Sequence, residues 1–106
     1  MERPRLTIPE FTTIGGQTII TKIIPDYDKL GEITVFAGEL KLAQESGGKL
    51  QSPSSMFNTY WHEITHGILD TMGESRLSRD EKFVSTFSSF LTEVLLNAQY
   101  PKDGTK

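Results

Sequence analysis

The two histidines of the chain, His62 and His66, stand four residues apart, and Glu63 directly follows the first. On a helix, positions i and i+4 project from one face a turn apart, so the two imidazoles can reach a single metal ion. Glu63, about 100° round the helix from His62, then stands beside that ion. The chemistry attached to this pattern is hydrolytic: two neutral imidazoles hold Zn²⁺, and the carboxylate takes a proton from a water that the ion has activated. Shuffling the composition yields the pattern in roughly two of every thousand arrangements, which makes it a strong signal for so short a motif. The bland alternative is a boundary helix whose histidines are merely solvated.

Two histidines do not close such a site, because a catalytic zinc usually has three protein ligands and an open position for water. There is no Cys and no third His, so a structural zinc finger is excluded and the remaining ligand must be a carboxylate: Asp70, Glu74, Asp80, Glu81 or Glu93. Asp70 continues the row of His62 and His66 but lies about 6 Å beyond His66 along the axis on a short side chain, a place better suited to accepting the other N–H of an imidazole. Glu74 falls just past Gly73, on a loop. Asp80 and Glu81 open a second helix, where the reversed chain returns alongside the histidine turn. Asp80 lies in line with Val84, Phe87 and Leu91 and is expected to face the interior. Glu81 lies at the edge of that stripe, where a longer side chain reaches a half-exposed ion; it is the preferred ligand, with Asp80 its rival. The competing role for Glu81 is capping, since Ser78 and Glu81 have the spacing of a capping box. Glu93 is several turns away and is expected to be solvated.

The elements that must position these residues divide at a polar stretch, "QESGGKLQSPSS", Gln44 to Ser55. Before it, β-branched residues and turn signals predict three strands of a small antiparallel sheet: "QTIITKII" (Gln17 to Ile24), "GEITVF" (Gly31 to Phe36) and "ELKLA" (Glu39 to Ala43). Pro25 to Asp28 is a turn cluster, and Ala37-Gly38 is short enough to make the second and third strands a hairpin. "RLTI" (Arg5 to Ile8) is a marginal fourth strand. After the stretch the period becomes helical. Ser52 followed by Pro53 predicts a helix start, and Gly73 a left-handed stop, giving a histidine-bearing helix over about 53–72. A second helix is predicted over about 79–99, with Phe83, Val84, Phe87, Phe90, Leu91, Val94 and Leu95 as a stripe read as core; Pro101 ends it, leaving "KDGTK" as a frayed tail. The two helices should pack antiparallel and cover one face of the sheet, an α+β fold in a single domain spanning 1–106.

Hydrophobic content of 36%, charged content of 24% and a net charge of −3 fit a globular protein and give no electrostatic reason to expect nucleic acid or an anionic membrane as partner. The start, "MERPRLTIPE", lacks the apolar run of a signal peptide, and without cysteines nothing points to an oxidising compartment, so a cytoplasmic location is the default expectation. The oligomeric state stays open, because the aromatic and Leu residues of the last helix can bury a second chain as readily as the chain's own sheet.

The run "YWHEITHGILDTMGESRLSRDEKFVSTFSSFLTEVL" resembles small gluzincin-type metallopeptidases, most of all the short His-Glu-x-x-His proteins of phages and prophages, and more distantly the prophage-associated peptidases that cleave repressors. The resemblance covers about Tyr60 to Leu96. It implies a minimal zincin-like fold in which a compact sheet precedes the histidine helix, with His62 and His66 as zinc ligands, Glu63 as general base, Glu81 as third ligand and a peptide or protein as substrate. The chain departs from those families in its short His66-to-Glu81 spacing, in lacking the longer ligand motif of the repressor-cleaving group, and in lacking the usual first zincin helix.

The leading expectation is therefore a zinc-dependent metallopeptidase, with "ELKLA" as the sheet edge beside which substrate docks as an added strand. An oxyanion partner is also required; Tyr27, Tyr60, Arg76, Arg79 and Tyr100 are unranked candidates. The alternative is a non-catalytic, phage-type regulator or protein-binding module that retains the scaffold. A third, weaker reading is a metal that only staples a small domain.

Overall fold

In the computed structural model, which describes residues 6–101, four strands precede a small ribbon and three helices. The strands are β1 (Phe11–Ile14), β2 (Gln17–Ile24), β3 (Gly31–Thr34) and β4 (Glu39–Ala43), ordered β1-β2-β4-β3. The ribbon pairs β5 (Glu45–Ser46) with β6 (Lys49–Leu50), inside the stretch that the sequence marks only as polar. Helices α1 (Pro53–Thr71), α2 (Ser75–Ser78) and α3 (Glu81–Asn97) follow. The architecture is α+β, as the change of periodicity predicts.

The first strand is not "RLTI". Leu6, Thr7 and Ile8 are not in a strand, and Arg5 lies outside the described residues, as does the tail beyond Pro101. Gly15 and Gly16, both at positive φ, make a two-residue turn that sets Ile14 opposite Gln17, so the residues just before the turn are the ones that pair.

The sheet is mixed rather than antiparallel. β1 and β2 are antiparallel, and β3 and β4 form the expected hairpin, but β2 and β4 run parallel, with Thr21 opposite Leu40. Residues 25–30 carry the chain past one strand position to the sheet edge; β3 lies there, and β4 returns into the gap. The most apolar partner takes the centre, since Leu40, Leu42 and Ala43 are fully buried. "ELKLA" is thus an interior strand, and the edge nearest the histidines is β3. This overturns the expected docking edge.

α1 begins as predicted: the Ser52 hydroxyl accepts from the Ser55 amide at 3.1 Å, and Pro53 occupies the first turn, where its missing N–H costs nothing. It ends at Gly73, whose φ of 81° provides the left-handed stop. Its buried face sets Tyr60 and Ile64 on Ile14, Ile19, Leu40 and Leu42, with Ile33 and Val35 packed alongside. Contact is close because Gly67 has no side chain; a Cβ there would stand 2.8 Å from Ile33 Cδ1.

α3 packs on α1 and α2, so α1 is the helix that lies on the sheet. The side of α3 turned inward carries Val84, Ser88 and Thr92. The predicted Phe core is therefore overturned: Phe83, Phe87, Phe90 and Val94 face outward. No helix of the described residues is long and apolar enough to cross a membrane.

Candidate metal centre

His62 and His66 sit one turn apart on α1 with ring centroids 5.0 Å apart, both partly buried where α3 crosses. Glu81, the first residue of α3, reaches back between them. One carboxylate oxygen lies 3.2 Å from Nε2 of His62 and the other 3.2 Å from Nε2 of His66. Among the described residues these three form the one group of His, Asp or Glu donors arranged to hold a metal, with ligand atoms within 4.8 Å of one another.

The donor set fits an ion. Zinc bonds of about 2.0–2.2 Å in a tetrahedron place neighbouring donors roughly 3.3–3.6 Å apart, close to the nitrogen-to-oxygen separations found here. Two imidazole nitrogens and one carboxylate are a suitable set for zinc and leave a coordination position open. The Glu81 side chain keeps 66% of its surface exposed, so the group is open to solvent on that side.

Asp80 does not compete. It is the N-cap of α3 and accepts from the Phe83 amide at 3.1 Å, and it is exposed rather than facing the interior. The expected Ser78/Glu81 capping box is absent for the same reason: Ser78 belongs to α2, whose extra turn shifts the start of α3 to Glu81. Freed from capping, the Ser78 hydroxyl stands 3.1 Å from Nδ1 of His66 and is buried. It takes the imidazole-supporting role that the spacing suggested for Asp70, which is exposed and borders a different depression with Phe36 and Thr71. Glu74 precedes α2 with no side-chain cap and lies outside the ligand group, as does Glu93.

A cleft of about 460 Å³ opens beside the histidines between α1, α3 and the β3 edge. His62 and Glu63 line it together with Lys29, Leu30, Gly31 and Thr59, and Ser85, Ser88 and Ser89 of α3 form the opposite wall. The edge strand comes close to the helix: a Cβ at Gly31 would stand 2.6 Å from Thr59 Cγ2 and 3.2 Å from Glu63 Cγ. Gln51 holds this approach. Its amide nitrogen donates to the carbonyls of Leu30 and Ala43, while its oxygen accepts from the hydroxyls of Ser55 and Thr59.

The electrostatics follow from this enclosure. Burial pushes the Glu63 carboxyl from 4.5 to about 7, opposed by the His66 imidazole and reinforced by the Glu81 charge. Burial also holds His62 below the ordinary imidazole value, with the His66 charge adding to the effect and Glu81 opposing it, which favours the neutral form that binds metal.

Among the described residues, none of the five oxyanion candidates lines the cleft. Tyr60 is in the core, Tyr27 is committed to Glu32 of the β3 edge, to which its hydroxyl donates, and Arg76 and Arg79 are exposed around α2. The cation that does line it is Lys29, paired with Glu32 at 3.1 Å. Lys29 and Gln51 carry no motif that marks them in the sequence, and Ser78 is marked there only as a cap; each owes its place to a contact made across elements.

Comparison with family models, with curated proteins and with solved structures returned no match.

Proposed function

We propose that this chain is a small zinc-dependent metallopeptidase whose ion is held by His62, His66 and Glu81. The observation that carries the reading is the Glu81 carboxylate bridging the two Nε2 atoms at 3.2 Å each, beside a cleft that His62 and Glu63 line. When bound there, zinc supplies Lewis acidity that brings proton release from water towards neutral pH.

The remaining steps belong to the chain's own residues. Glu63 is the general base: its carboxyl lines the cleft, where burial, opposed by the His66 imidazole and reinforced by the Glu81 charge, leaves it raised to about 7. It takes the water's proton as a peptide carbonyl is attacked and returns it to the leaving amine. Substrate lies extended along β3. The antiparallel ladder turns alternate backbone groups of an edge strand outward; Leu30 is bonded to Ala43, so Gly31 and Ile33 present theirs to an added strand. The setting proposed is cytoplasmic, in keeping with the absence of cysteine.

A second reading, a protein-binding module that keeps the metal but does not cut, is favoured by the lack of any tyrosine or arginine among the described residues that line the cleft. A peptide library incubated with zinc-loaded wild type and Glu63→Gln separates the two. Cleavage by the wild type alone supports the peptidase, equal cleavage by both proteins ends that reading, and cleavage by neither leaves the binder. Metal analysis of protein purified without added zinc tests the site itself.

A further inference from the structure

We propose that the outward face of α3 is a homodimer interface in which α3 pairs antiparallel with α3 of a second copy. Phe83, Phe87, Phe90 and Val94 expose 36, 48, 63 and 63% of their surface, and the rings of Phe83 and Phe87 stack at 5.9 Å. Their successive spacings of four, three and four residues are those of the a and d positions of a coiled coil, which presents a seam to another helix.

The outward orientation has a cause inside the protein. Glu81 and Phe83 point about 160° apart on a helix, so aiming Glu81 at the histidines turns the aromatic seam away from α1. The inward side is then left with Val84, Ser88 and Thr92, small groups that allow α3 to approach α1. The chain gives up burial of three phenylalanines within itself, and a second copy restores it.

Area and charge select this occupant. With about 200 Å² for a fully exposed Phe, the seam offers roughly 400 Å² of apolar surface per copy. A stable interface covers about 800 Å² per partner, somewhat over half of it apolar, so the seam supplies most of the apolar core required. Lys82 and Glu93 lie on one flank of the seam. An antiparallel pairing that sets Phe87 against Phe90 of the second copy also sets Phe83 against Val94 and brings Lys82 within a turn of Glu93, twice by symmetry. A parallel pairing would put this flank of the two copies on opposite sides of the seam, so Lys82 and Glu93 would not meet across it. The cleft wall formed by Ser85, Ser88 and Ser89 lies on the other side of α3, so pairing leaves the cleft open.

The test is the mass of the full chain in solution across the micromolar range, by sedimentation equilibrium or light scattering. The expected mass is twice 11.9 kDa. Phe87→Glu with Phe90→Glu should raise the dimer dissociation constant at least about 100-fold. Unchanged circular dichroism and zinc binding show that the variant folds and that the metal site is independent of the interface. Lys82→Glu and Glu93→Lys should each weaken the dimer about three- to tenfold, and combining them should restore it. A monomer at all concentrations, a dimer indifferent to the two glutamates, or a double reversal that fails to recover overturns the proposal. So does a monomer that cosediments with phosphatidylcholine vesicles through Phe87 and Phe90, which assigns the seam to lipid.

Discussion

The hydroxyl of Ser78 stands 3.1 Å from Nδ1 of His66, and this contact makes the end of α2 part of the candidate metal site. A hydroxyl suits the position because it both donates and accepts. With Nε2 protonated and donating to Glu81, Nδ1 accepts from Ser78; when Nε2 turns its lone pair to an ion, Nδ1–H donates to the same oxygen. Ser78→Ala should therefore lower zinc affinity about tenfold, as loss of ligand support commonly does, with little change in secondary structure. Competition against a chromophoric chelator measures it, and an unchanged affinity would show that the contact does not orient the ring.

Asp80 and Glu81 are adjacent and acidic, yet the geometry gives them separable roles. Glu81→Gln should weaken zinc binding on the order of 100-fold and leave α3 in place. Asp80→Ala should lower thermal stability by about 1 kcal/mol through loss of the cap while zinc affinity holds. Calorimetric titration and thermal melts of the two variants read both effects, and an exchange of phenotypes would make Asp80 the ligand.

Glu63 gives the metal-free protein a distinctive pH dependence. Its folded carboxyl is raised to about 7 from 4.5, so its contribution to stability is fully present below pH 4.5 and is lost as pH rises through 7. The displacement corresponds to about 3 kcal/mol at most. His62, held low by burial, acts in the opposite direction and loses stability as pH falls through its folded value. Comparison with Glu63→Gln cancels the His62 part. With chelator present, wild type should lose about 2 kcal/mol relative to that variant between pH 5 and pH 8 in urea unfolding. A flat difference would contradict a buried Glu63.

Gly31 tests the approach of the edge strand to the helix. It has no positive φ, so Ala meets no backbone penalty there, and the effect isolates the crowding against Thr59 and Glu63. Gly31→Ala should cost about 1–3 kcal/mol by overpacking and reduce peptide hydrolysis at least about tenfold by displacing Glu63 or the strand, with zinc affinity little altered. Full hydrolysis in the variant would separate β3 from the reaction.

The histidine pair, the glutamate between them, the cap at Ser52, the stop at Gly73 and the α+β order are all local in origin, and the sequence alone determined them. Periodicity, capping chemistry and i to i+4 spacing act within a few residues and do not depend on distant partners. The choice of Glu81 over Asp80 was different. The sequence preferred Glu81 for its place at the stripe edge and its longer side chain and kept Asp80 as rival, and only the extra turn of α2 made Asp80 the cap of α3 and released Ser78 to His66. Strand order was likewise beyond local reach: nothing within "ELKLA" says that its neighbour will be parallel "QTIITKII", because pairing depends on where residues 25–30 cross the sheet. Of the apolar stripe read as core, Val84 is buried, whereas Phe83, Phe87, Phe90 and Val94 face outward. A helix has one rotation about its axis, and the tertiary structure used it to bring Glu81 to the histidines rather than to bury the phenylalanines.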